Sequence, residues 1–193
     1  MPHRTLALLI LLAVPQPTDA ACRALRAESD VTGIRLADEE STARVLGPPS
    51  ELRSEQPVDG DGRDSGFPFV RIRSRDGTHE AKLFTHHGGT LGAYSEIEVG
   101  PADPDATAVP TMPGVALATE RGVRLGMRRA DVVRLLGPCF RREQGSHGEA
   151  VIAYAITDPG HPLLKRSGSP SYFARYAFKA GRLVRFRFGF EPV

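Results

Sequence analysis

Catalytic signatures are the first thing this sequence lacks. No Gly-x-Ser-x-Gly elbow, Ser-x-x-Lys, His-Glu-x-x-His, Cys-x-x-Cys or phosphate-binding glycine loop occurs in its 193 residues, which removes the reaction classes those motifs serve. Tryptophan is absent, aromatic residues make up 7%, and there are only two cysteines. No apolar run is long enough to cross a bilayer; the longest, Leu6 to Val14, is far too short. What is abundant is punctuation: 20 glycines and 16 prolines predict short elements and no long helix. The rest, 40% hydrophobic and 25% charged, is ordinary globular composition for one domain or two small ones, unlike a solenoid, coiled coil or disordered tail.

Residues 1–20 read as an export signal, with Arg4 as the positive start, the Leu6 to Val14 run, and Pro15 and Pro17 before a cut after Ala20. A periplasmic or secreted location follows, and with it three readings of Cys22, the least favoured being that it and Cys139 are both free thiols. In an oxidising compartment it pairs with Cys139, closing a loop of 117 residues and contributing about 4 kcal/mol. Alternatively Ala20-Ala21-Cys22 is the end of a lipobox, with Asp19 where Leu is usual, and Cys22 carries a membrane lipid. Cys139, after Gly137-Pro138 and with no histidine in a partner motif, reads as structural rather than catalytic.

The most informative feature is internal repetition. Gly33-Ile34-Arg35-Leu36 leads to Val45-Leu46-Gly47-Pro48-Pro49, and Gly122-Val123-Arg124-Leu125 leads to Leu135-Leu136-Gly137-Pro138-Cys139. With one gap at Gly126, seven of seventeen paired positions are identical. Each copy spells a short helix ended by Gly and Pro, too short to stand alone, followed by strand-like segments. These are Phe69 to Ser74, Ala81 to Thr85 and Ala93 to Val99 in the first copy, and Val151 to Ile156, Tyr172 to Lys179 and Leu183 to Phe190 in the second. Pro101, Pro104, Pro110 and Pro113 mark a stiff linker. The expected fold is therefore α+β: two tandem units, residues 21–100 and 115–193, joined by linker 101–114, each a short helix on its own antiparallel sheet of about three to four strands. Ser54 to Gly66 and Asp158 to Ser171 read as long loops within the units.

This pattern of exported leader, repeated Gly-hydrophobic-x-Leu, short helix and Leu-Gly-Pro before a small sheet resembles beta-lactamase inhibitory protein. It also resembles its single-copy relative, the small lipoprotein of the outer-membrane assembly machinery. The resemblance spans the mature chain and rests on Gly126-Met127 through Leu136-Gly137-Pro138. It implies helices over one sheet face and a concave protein-binding surface on the other. That inhibitor's two short-range disulfides cannot form here, and Ala37-Asp38 replaces Gly-Met in the first copy, so a beta-lactamase target is not implied.

The net charge of +2 conceals an asymmetry. Residues 22–119 carry 10 Lys and Arg against 16 Asp and Glu, whereas residues 120–193 carry 14 against 6. Opposite halves attract one another or show a polarised face to a partner. Strand alternation sends Val184, Phe186, Phe188 and Phe190 inward with Arg185 and Arg187 outward, and Ile97 and Val99 inward with Glu96 and Glu98 outward. By the same rule Phe173, Arg175 and Lys179 share the open face with Arg185 and Arg187. An aromatic ring among arginines is typical of protein-binding hot spots. The candidate binding residues are therefore Phe173, Arg175, Lys179, Arg185, Arg187, Glu96 and Glu98.

No other constellation reaches a mechanism. His79, His86 and His87 surround one hairpin, but adjacent histidines on a strand face opposite ways. Asp59, Asp61 and Asp64 lack the later bidentate Glu of a calcium loop. Export argues against a nucleic-acid partner, and no basic amphipathic helix suits a membrane surface. The expectation is a non-enzymatic protein without cofactor or metal that binds another protein, as an inhibitor or immunity protein of an envelope enzyme or toxin does. The alternative is an envelope-assembly lipoprotein anchored through Cys22; a metal-dependent hydrolase is the third reading.

Overall fold

The computed structural model describes residues 25–57, 66–86, 89, 92–106, 109–111, 116–145 and 148–191. Alternation of apolar and polar residues decides most of the architecture, because successive strand side chains point to opposite faces. Of the eight segments that pair into the main sheet, the longer ones show it best, while Ala150–Ile156 is apolar throughout and Ser54–Glu55 and Arg141–Gln144 are polar. The eight are Ser54–Glu55 (β3), Phe69–Arg73 (β4), His79–Phe84 (β5), Glu96–Pro101 (β6), Arg141–Gln144 (β7), Ala150–Ile156 (β8), Tyr172–Lys179 (β9) and Arg182–Phe190 (β10). Before them Asp30–Val31 (β1) and Ile34–Arg35 (β2) form a two-stranded ribbon. Among the described residues there are three short α-helices: Glu39–Leu46 (α1), Arg129–Leu136 (α2) and Pro162–Ser167 (α3).

The strands β3 to β10 make one antiparallel sheet in the order β3-β4-β5-β6-β10-β9-β8-β7. This corrects the expectation of two units, each with its own small sheet under a helix. The molecule is mostly β, and the succession of a helix and four strands, though it occurs twice, ends in one shared sheet. The physical reason lies at β6 and β10. Each would be an exposed edge of a four-stranded sheet, and each carries apolar residues at the same alternate positions. Pairing them sets Phe186 opposite Val99 and Phe188 opposite Ile97, so two apolar faces become one, and two reactive edges disappear.

The core lies on one face of this sheet. Tyr94, Tyr172, Tyr176, Phe186, Phe188, Ile72, Leu83, Ile97, Ile152 and Leu183 are almost completely buried there, beneath Ile34 from the ribbon and Leu136 from α2. Helix α1 is held differently. Its buried residues are Ser41 and Thr42, and Thr42 Oγ1 donates to the Gly92 carbonyl at 2.7 Å. Helix α3 falls inside Asp158 to Ser171, expected as loop; it forms because Leu163 and Leu164 reach the core. The stretch expected as a linker packs against β4, with Arg73 N–H donating to the Pro110 carbonyl at 2.9 Å and Arg73 Nη2 to the Asp103 carbonyl at 2.9 Å.

Candidate protein-binding face

The face of the sheet away from the core is organised in rows, because antiparallel register sets residues of neighbouring strands side by side. One row runs Phe69, Phe84, Glu96, Gly189, Phe173 and Ala155. The next runs Arg71, Lys82, Glu98, Arg187, Arg175, Ala153 and Arg141. An aromatic row thus lies beside a cationic one, and cations cover the rings. Arg71 is centred 5.3 Å from the Phe69 ring, Arg187 5.2 Å from Phe84 and Arg175 5.9 Å from Phe173, within the range of cation–π attraction.

The seam between β6 and β10 runs through the middle of this face. There Glu96, almost fully buried, pairs with Arg187, which also reaches Glu98 at 3.8 Å. The acids and arginines that the sequence placed on equivalent strands of two units are therefore direct neighbours. Gly189 lets them approach: a Cβ at this position would lie 2.6 Å from the Glu96 Cα. Beyond the seam, Arg175 Nε donates to Glu143 at 3.2 Å and Arg185 Nη2 to Glu149 at 3.4 Å. Arg175, Arg185 and Arg187 surround a depression of about 370 Å³ floored by Ala177 and Val151. The arginines are thus balanced by carboxylates, and the depression is polarised rather than simply positive.

Of the residues singled out from the sequence, Phe173, Arg175, Arg185, Arg187, Glu96 and Glu98 lie together on this face. Lys179 is apart, at the far end of β9 opposite Arg182, four residues or about 13 Å along the strand from Arg175. Sequence reasoning missed Phe84, Lys82 and Glu143. Alternation within His79–Phe84 placed Lys82 and Phe84 away from the core; what it could not supply was the strand they face. Cys139 follows α2, and its expected partner Cys22 lies outside the described residues. So do His87, Asp59, Asp61 and Asp64.

At the near end of the seam, His86 is buried against Phe67, with ring centroids 4.3 Å apart, and its Nε2 lies 3.5 Å from Glu96. At the other end of the aromatic-to-cationic band, Arg71 is buried among Glu80 at 2.7 Å, Glu55 at 3.0 Å and Asp103 at 3.5 Å. Burial would lower its pKa, but the hydrogen bonds it donates to Glu55 and Glu80 outweigh that and hold it above the ordinary arginine value. Arg71 therefore anchors the edge of the face, while the half-exposed Phe84, Phe173 and Arg187 form its accessible part. Chemically the face offers guanidinium donors, carboxylate acceptors and aromatic surfaces, the groups by which proteins recognise one another. The chain matches no family model, no curated protein and no solved structure.

Proposed function

We propose that this protein is an exported, non-enzymatic module that binds another protein through the open face of its sheet, in the manner of an inhibitor or immunity protein. The observation that supports this most is the pair of rows crossing the seam, in which Phe84 and Phe173 lie half-exposed under Arg187 and Arg175. An aromatic ring held by a guanidinium has little rotamer freedom left to lose on association, which favours it as an anchor. The balanced charges favour a partner of mixed polarity over a polyanion. The leader-like residues 1–20 favour a partner in the periplasm or the medium.

The test is affinity capture from envelope extract and medium, with wild type beside a Phe173→Ala, Arg175→Ala variant whose fold is verified by circular dichroism. Both residues are accessible at the surface, so the variant keeps the core. A protein retained by wild type and lost with the variant supports the reading. Identical capture by both removes this face as the binding surface.

A further inference from the structure

On the other side of the sheet, four arginines from four stretches of chain line one cleft of about 480 Å³. Arg26 belongs to the segment that enters the fold, Arg35 ends β2, Arg121 follows the Thr119 turn, and Arg166 lies in the last turn of α3. Among the described residues that line the cleft, Glu120 is the one carboxylate. It is already engaged, accepting from the Ser29 backbone N–H at 3.1 Å and from the Ser29 hydroxyl at 3.2 Å. Arg35 reaches Asp38 at 3.4 Å. Arg26 and Arg166 make no ion pair with a described residue, and Arg121, though attracted to the buried Glu28, makes no salt bridge with it.

The contrast with the open face is informative. There Arg175, Arg185 and Arg187 each have a glutamate within reach; here like charges converge in a concavity and repel, an arrangement that a bound anion relieves. Among the described residues lining the cleft the permanent cations are all arginines, beside His161, and none is a lysine. Planar guanidinium forks suit bidentate contact with oxyanions. The excess of positive charge suits a phosphate, which carries about two negative charges, better than one carboxylate. Leu25, Pro162 and Leu163 add an apolar wall, suiting a ligand with an organic portion. We infer that this cleft binds a phosphate-bearing ligand, whether a soluble phosphate ester or the phosphate of a lipid headgroup. The site is independent of the open face and of its partner.

Two probes separate the sources. The purified protein is titrated with inorganic pyrophosphate by calorimetry, and it is sedimented with phosphatidylcholine vesicles with and without phosphatidic acid. Wild type is compared with Arg121→Ala, Arg166→Ala and with Arg141→Ala, Arg142→Ala. The second variant removes the same charge from exposed positions on β7. The expected result is binding of at least one probe that weakens about tenfold or more for each cleft arginine removed and is little changed in the β7 variant. Binding of pyrophosphate alone assigns a soluble ligand; binding only to phosphatidic acid vesicles assigns a lipid phosphate. No binding of either probe, or equal loss in both variants, overturns the inference.

Discussion

Glu28 carries the largest conflict between burial and charge at a single residue. It has no exposed surface; its carboxylate accepts from Thr119 Oγ1 at 2.8 Å and its carbonyl from the Tyr172 hydroxyl at 2.8 Å. Burial pushes its carboxyl up to about 7, despite the lowering effect of the Thr119 hydrogen bond and with added repulsion from Glu120. The native state therefore holds this proton more tightly than the unfolded chain. Stability is fully present below the ordinary glutamate value of 4.5 and falls as pH rises through about 7, by on the order of 3 kcal/mol. Glu28→Gln should flatten that decline in urea midpoints measured across the window; parallel profiles for variant and wild type would show that Glu28 is not its source. Backbone strain is the other effect at this scale. Ala180 at φ 49° precedes Gly181 at φ 74° in the β9–β10 turn, and Ala37 at φ 54° stands where the second copy has Gly126 at φ 84°. Alanine in the left-handed region is strained where glycine is not. Ala180→Gly should gain about 0.5 to 1 kcal/mol, read as a raised thermal midpoint; a lowered midpoint would mean that chain entropy outweighs the strain.

Among elements, β6 and β10 carry the decisive contact, and Gly189 is the residue that tests it. The nearest atoms to an added Cβ are backbone atoms of Ser95 and Glu96, which cannot swing aside as a side chain would. Gly189→Ala should cost about 1 to 3 kcal/mol by pushing the seam apart, whereas a neutral effect on the denaturant midpoint would contradict the close approach. The segment that enters the fold bears on Cys22. Arg26 N–H donates to the Leu136 carbonyl at 3.4 Å, which sets chain four residues after Cys22 beside chain three residues before Cys139. Extended chain reaches about 3.3 to 3.6 Å per residue, ample for the proposed pairing. Intact mass should then be lower by two hydrogens and reduction should cost up to about 4 kcal/mol; a diacyl addition at Cys22 would establish the lipid anchor instead. The strands β4, β5, β6, β9 and β10 were legible because period-two alternation is a local signal, and β8 because it is a short continuous apolar run. Helix α3 was not, since Pro162–Ser167 is six residues among prolines, glycines and serines, and what stabilises it, besides its caps at His161 and Gly168, is contact of Leu163 and Leu164 with the core.

At the scale of the whole molecule, what the sequence could not disclose was which strands meet. The repeat is visible in Gly33 to Leu36 and Gly122 to Leu125, and it suggested two sheets because a repeated pattern describes each copy and is silent about their junction. Edge pairing is settled by shape and register across nearly a hundred residues of separation, with Phe186 and Phe188 finding Val99 and Ile97. The charge asymmetry then has a location: the acidic first half and the basic second half meet at Glu96, Glu98 and Arg187. The same junction makes the candidate face a property of both halves, since Phe84 comes from one and Phe173 from the other. Affinity capture with Phe84→Ser and Phe173→Ser as separate baits, beside wild type, tests this most directly. One and the same captured protein should be lost with either substitution; a partner retained in full by both variants would show that the face does not bind across both halves.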